Sequence, residues 1–355
     1  MNNLSKIRAA MAAEGLDALL LTSEVNRPYA AGYNISEGLA VVTQDGARYM
    51  TDSRYIEDAE NNLDGFEVQM IGKGVSYNDL LQSAMSDFGV RKLGYEENFI
   101  SVAELKGYQQ VLTAELSDCQ NLFTKLRGSK TPEEIAIMKK AQDVTDAAFA
   151  DILNVIKPGM SELELMAELV YRLLKHGGLK MSFDPIVVSG PNTSMPHGVP
   201  GQRKLQAGDF ITMDFGVKVG GYCSDMTRTV ALGYATDEMK KVYQTVLDAQ
   251  LAGIAATKAG VPGCDIDAAA RKVITDAGYG DYFGHGYGHS LGLQIHEAPN
   301  CNAANKEPMP AFAVCSAEPG IYLPGKFGVR IEDVVIVTED GCENITHSPK
   351  ELIIL

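Results

Sequence analysis

The feature that most constrains this 355-residue chain is MDFGVKVGGYCSDMT, residues 213–227, which sets an aspartate on each side of one short turn. Its flanks, Phe210–Thr212 and Thr227–Val230, are dominated by β-branched and aromatic residues and read as strands. With Val219 and Gly220 as the turn, Asp214 and Asp225 fall directly opposite each other on one face. Their Cβ atoms would then be roughly 4.5–5.5 Å apart, where like charges repel. A second stretch, AEPGIYLPGKFGVRIED (317–333), sets Glu318 and Glu332 symmetrically about Gly325, so an odd-length loop again puts both acids on one face. Two acid-paired hairpins suggest a weak internal duplication. A buried carboxylate needs a cation or a proton. Arg330 can compensate one of the four, and two divalent cations would supply the rest.

A third element is GHGYGHSLGLQIHEAP, residues 284–299, with His285, His289 and His296. Glycines at 284, 286, 288 and 292 argue against a helix, so the spacing of His285 and His289 does not mean a shared helical face. Such a backbone lets a strand pass close to a bound ion or substrate. The first 125 residues hold none of the six histidines. These three and His197 lie in the half that carries the acid pairs.

Two domains are expected for this length. Residues 1–127 alternate short helix and strand patterns, with LSKIRAAMAAEG a helix closed by Gly15 and Asp45-Gly46 a hairpin turn. Residues 128–355 open on a capping box, Thr131 to Glu134 with Pro132 between, and continue into a long amphipathic helix. A second box, Ser161 to Glu164, starts the next helix, and two more follow near 236–259 and 265–277. The net charge of −15 speaks against nucleic acid or an anionic membrane as partner. No segment approaches a membrane span, and Glu14 and Asp17 interrupt any signal-peptide run. Six scattered cysteines without a CxxC pair read as reduced thiols, and a cytoplasmic location is expected.

Asp214, Asp225, His289, Glu318 and Glu332, in this order and local wording, resemble the five-ligand dinuclear metal centre of the pita-bread metallopeptidases. That family includes methionine aminopeptidases, aminopeptidase P and prolidase. GHGYGHSLGLQIHEAP, AEPGIY and GVRIED are similar to its Xaa-Pro peptidase branch. SMPHG supplies His197, seventeen residues before Asp214, in a place similar to that of the family's other active-site histidine. NRPYAAGY (26–33) and TDSRYIEDAE (51–60) look like the N-terminal domain shared by creatinase, prolidase and aminopeptidase P, which methionine aminopeptidases lack. The resemblance implies an α+β chain: a smaller α/β creatinase-type N-terminal domain, then a pita-bread catalytic domain. It also implies a homodimer acting on proline-containing peptides.

One imidazole and four carboxylates form an oxygen-rich donor set that suits Mn²⁺, with Co²⁺ or Zn²⁺ as alternatives. On this reading Asp225 and Glu332 flank both ions, Asp214 completes one site, and His289 with Glu318 completes the other. Glu318 is the expected general base. His197 and His296 would bond the substrate and help protonate the leaving nitrogen. His285 would support the ligands or line the proline pocket, and Arg330 would orient a ligand carboxylate. The expected activity is Xaa-Pro aminopeptidase. The alternatives are prolidase (Xaa-Pro dipeptidase) on the same site, a catalytically inactive pita-bread peptide-binding module, and a creatinase-like hydrolase without metal.

Overall fold

The computed structural model describes residues 2–355 and divides into two compact units, the second running Arg127–Leu355. In the first, β1 (Ala18–Leu21), β2 (Leu39–Thr43), β3 (Ala47–Thr51), β4 (Glu67–Met70), β5 (Lys92–Tyr95) and β6 (Glu115–Asp118) form one sheet in the order β4-β3-β2-β1-β5-β6. The β1–β2 and β2–β3 pairs are antiparallel and the other pairs parallel. Leu20, Val41, Met50 and Leu93 of the sheet pack against Leu81 and Met85 of the helix Tyr77–Asp87. Each large side chain removed from water this way is worth about 1.5–3 kcal/mol. The β2–β3 register pairs Val42 with Ala47, which makes Gln44 and Asp45 the turn centre instead of Asp45-Gly46. Gly46 closes the turn, and a Cβ there would meet the Phe88 ring at 2.7 Å.

The second unit has two halves of similar build. In the first, the helices Pro132–Ile152 and Glu162–Lys175 precede β7 (Lys180–Met181), β8 (Ile186–Ser189), β9 (Phe210–Phe215), β10 (Val217–Val219), β11 (Tyr222–Cys223) and β12 (Met226–Ala231). In the second, the helices Asp237–Ala256 and Gly263–Asp276 precede β13 (Gly288–Ser290), β14 (Glu297–Cys301), β15 (Val314–Ala317), β16 (Gly320–Leu323), β17 (Phe327–Arg330), β18 (Asp333–Val337) and β19 (Cys342–Asn344). Both expected capping boxes form: Thr131 and Ser161 each accept the backbone N–H of Glu134 and Glu164, whose carboxylates accept back. Glu134 also accepts the Tyr222 hydroxyl at 2.7 Å, fixing the long helix against the first hairpin. Leu165, Leu169 and Leu173 lie on one helical face and pack on Met213, Phe215 and Val230. The second core gathers Val242, Val246, Ile266 and Ile274 over Ile321, Val329 and Val335. No helix among the described residues is long and apolar enough to cross a membrane.

The two acid-bearing hairpins differ in register. Gly320↔Arg330 through Leu323↔Phe327 centres the second on Gly325, at φ 72°, and extending that register sets Glu318 against Glu332, as expected. The first turns on Gly220-Gly221, both at positive φ (55° and 88°), because a two-residue turn of this kind disfavours Val219 at its centre. Asp214 therefore opposes Thr227, not Asp225. The slip is two residues, so Asp225 stays on the same face as a diagonal neighbour.

Candidate active site

The pleat of each hairpin puts its acids at the ladder ends. Asp214 is on β9, and Asp225 immediately precedes β12. Glu318 and Glu332 fall in the gaps on either side of the β16–β17 pair, and His289 is the middle residue of β13. That strand runs against β15 so closely that a Cβ on Gly288 would lie 2.1 Å from the Ser316 carbonyl oxygen. These five residues line one cavity of about 500 Å³, and His197, His285, His296 and Arg330 line it too.

The two hairpins brace each other across the site. Arg330 of the second donates from Nη2 to Asp214 Oδ2 of the first at 2.5 Å. Thr227 of the first donates to Glu332 Oε2 of the second at 2.7 Å, while its hydroxyl accepts Arg330 Nε at 3.0 Å. Behind them, buried Arg228 spends all five N–H groups: on the carbonyls of Thr227, Glu332, Ser348 and Pro349, and on Asp333 Oδ1 at 2.7 Å. The Glu332 peptide is thereby fixed from both sides, since its N–H also donates to the Thr227 carbonyl.

His289 donates from Nδ1 to the Ser290 carbonyl (3.2 Å), which aims Nε2 at Glu318 Oε1 (3.2 Å) and Asp225 Oδ2 (3.6 Å). Ser316 Oγ donates to the same Glu318 oxygen at 3.1 Å. His285 donates from Nδ1 to the Gly286 carbonyl, so its bare Nε2 accepts the Tyr322 hydroxyl at 2.9 Å. The Tyr322 oxygen in turn accepts Arg330 Nη1 at 2.9 Å. His197 and His296 are exposed on the wall, and the His296 ring meets His289 edge-on with centroids 4.4 Å apart.

The acids are not equivalent. Burial, then the charge of neighbouring Glu332, pushes Asp225 well above the usual carboxylate range. Burial and the Glu318 charge do the same to Glu332. Burial raises Asp214 also, against the pull of Arg330. For Glu318 burial acts upward but the His289 bond outweighs it, leaving the carboxyl at about 2. Burial likewise depresses His289, and its bond to Glu318 more than restores it.

The donor set fits divalent cations. Asp214 Oδ1, Asp225 Oδ1 and Glu332 Oε1 are buried and accept no hydrogen bond, an arrangement that costs free energy unless something positive sits there. Asp225, His289 and Glu332 present one donor atom each within 4.8 Å of one another, with Glu318 adjoining through His289 and Asp214 keeping one oxygen open. Sequence reasoning missed Thr227, Arg228, Ser316 and Tyr322, which hold these residues in place. Only the Thr-Arg-Thr run beside Asp225 and the tyrosine between Glu318 and Arg330 hinted at them.

The model of metallopeptidase family M24 matches residues 136–339, and that of the creatinase/prolidase N-terminal domain matches residues 3–128. An uncharacterized peptidase of Bacillus subtilis is 43% identical over 353 residues, covering 99% of both chains. Among solved structures, an Xaa-Pro dipeptidase from Bacillus anthracis superposes with TM-score 0.95 at 41% identity over 99% of each chain. An X-Pro aminopeptidase from Thermotoga maritima gives 0.93 at 33% identity, covering 98% of this chain and 100% of its own.

Proposed function

The chain belongs to metallopeptidase family M24, and on that premise we propose that it hydrolyses the peptide bond between an N-terminal residue and proline. The observation that carries this reading is the single cavity in which four carboxylates, three of them with orphaned buried oxygens, surround His289 beside two exposed histidines. Asp214, Asp225, His289, Glu318 and Glu332 would hold two divalent cations, Mn²⁺ by the hardness of the donors. When bound, the cations polarise the scissile carbonyl and make water acidic enough to attack at neutral pH.

The chain's own groups carry the rest. Glu318 takes the proton of the attacking water at Oε2: Oε1 is engaged by Ser316 and His289, and Oε2 has no hydrogen-bond partner among the described residues. Its carboxylate is ionised and its open oxygen faces the cavity lining, which is what a proton acceptor at this position needs. The surroundings of His296 disfavour its charged form, so it enters as one N–H donor and one acceptor. With His197 it bonds the carbonyl oxygen as charge develops there, and the proton that Glu318 has taken from the water passes to the prolyl nitrogen, which carries no hydrogen of its own. Arg330 keeps Asp214 turned inward, and the Arg330–Tyr322–His285 chain stiffens the wall beside Glu318.

Aminopeptidase action on longer peptides is the first form of this proposal. Restriction to dipeptides is the second, favoured by the higher identity to the Xaa-Pro dipeptidase than to the X-Pro aminopeptidase. Elemental mass spectrometry after Mn²⁺ loading, paired with assays on Ala-Pro and Ala-Pro-Ala, tests both. Two metals per chain and cleavage of the tripeptide support the first form, and cleavage of Ala-Pro alone supports the second. A chain that cleaves neither peptide refutes the proposal, and one that also binds no metal is a binding module. Homodimerisation belongs to the same reading and is tested by sedimentation.

A further inference from the structure

No hydrogen bond to the His296 ring is found among the described residues, so apart from its edge-on contact with His289 its place comes from its backbone. The next residue supplies an anchor. The Glu297 side chain is only 3% exposed, and its Oε1 accepts Arg127 Nη2 at 2.5 Å and the Gln294 backbone N–H at 3.0 Å. Its Oε2 faces Lys130 Nζ at 3.4 Å, and that lysine side chain is 2% exposed. Arg127 Nη2 also donates to Gln294 Oε1 at 2.9 Å. Residues 292–297 wrap tightly around the carboxylate, since a Cβ on Gly292 would stand 2.7 Å from Glu297 Oε2. On its far side the loop is tied to the first hairpin: Cys223 N–H donates to the Gly292 carbonyl at 2.7 Å and Lys218 Nζ to that of Leu293 at 2.9 Å.

A buried carboxylate between two cations is a poor way to stabilise a core, because well-packed apolar groups do as well without desolvation. Its distinctive property is directional: it fixes one short loop at several points. The geometry points to Glu297 as a positioning residue, whose carboxylate, locked by Arg127 and Lys130, holds the backbone from which His296 reaches the substrate. This rests on the role given to His296 above. The socket is built from the segment that leads into the long helix, so the entry to the helix that braces the first hairpin also sets the height of the histidine.

The test uses the full Mn²⁺-loaded chain and compares wild type, Glu297→Gln, His296→Ala and the double variant on Ala-Pro and Ala-Pro-Ala, with metal content and a crystal structure of Glu297→Gln. Glu297→Gln should lower kcat on the order of 10- to 100-fold, as expected for a displaced catalytic group. KM should stay within about twofold and metal content should be unchanged. The double variant should be no slower than His296→Ala, because both act through one ring. The crystal structure should show that ring moved away from His289. If Glu297→Gln does not fold, Arg127→Met should show the same pattern. Multiplicative losses in the double variant, an unchanged kcat, loss of metal, or an unmoved ring would each overturn the assignment. If wild type cleaves neither peptide, the proposed function fails instead, and the ring position alone decides the positioning role.

Discussion

Asp225→Asn should stabilise the chain when metal is removed, although it destroys the site. Asp225 is 3% exposed, its Oδ1 has no partner, and its Oδ2 is 3.6 Å from His289 Nε2. Without cations the folded chain must either keep that charge buried or take up a proton. Burial and then the Glu332 charge raise the folded pKa well above the ordinary value. Between the unfolded pKa near 3.9 and that raised value the folded state holds more proton than the unfolded one, so stability falls as pH rises through this window. Asparagine keeps the shape and removes the charge. Relief of the unpaired buried charge, set against the amide that takes its place, is worth about 1–3 kcal/mol. At about 2–4 °C per kcal/mol for a unit of this size, melting in EDTA at pH 8 should rise by roughly 2–12 °C. Below about pH 4 the gain should vanish, because wild-type Asp225 is then protonated in both states. With Mn²⁺ the order should reverse, since ligand binding raises the wild-type melting point by mass action and the variant has lost a ligand. Scanning calorimetry at pH 4, 6 and 8, with EDTA or Mn²⁺, reads all three effects. A lower melting point in EDTA at pH 8, an equal gain at pH 4, or a full Mn²⁺ response in Asp225→Asn would refute the reasoning.

His296→Ala should cut turnover by about 10²-fold or more while elemental analysis still finds two metals per chain; loss of metal would show the role to be wrong. Thr227→Val removes the hydroxyl that joins Arg330 Nε to Glu332 Oε2, and isothermal titration should show Mn²⁺ affinity weakened about 10- to 100-fold. Gly288→Ala would press a methyl group into the Ser316 carbonyl, pushing β13 off β15; urea unfolding should show a loss of about 1–3 kcal/mol, with activity lost along with it.

What could be read from the sequence is what local chemistry determines. Thr131 with Glu134 and Ser161 with Glu164 close their capping boxes within four residues, so the helix starts were legible. The same signal, Ser101 with Glu104, marked the helix Val102–Val111, but that helix buries no residue and so shows no apolar stripe to follow. The second acid pair was legible because Gly325 leaves one reasonable turn centre. The first was misread by two residues because Val219-Gly220 and Gly220-Gly221 both look like turns, and only backbone strain separates them. The face survived the error because a strand repeats every two residues. Nothing local shows that Thr227 meets Glu332, 105 residues away, or that Arg228 reaches Pro349. Those contacts exist only after the two halves of the second unit close on each other.

That closure explains how four acids can share one buried wall. Each hairpin alone would present two carboxylates with nothing to orient them. Together, the second supplies the guanidinium that turns Asp214, and the first supplies the hydroxyl that turns Glu332. Asp225, Glu318 and Glu332 all stand just outside the paired residues of their strands, so these backbones are not committed to a ladder and are held otherwise: the Asp225 N–H by Gln142 Oε1, the Glu318 N–H by the Tyr287 carbonyl, and the Glu332 peptide by Arg228 and the Thr227 carbonyl. The repulsion that remains is concentrated in three orphaned oxygens from both hairpins. A cation held there, as proposed, would bond to both halves at once and so tie the closed core together.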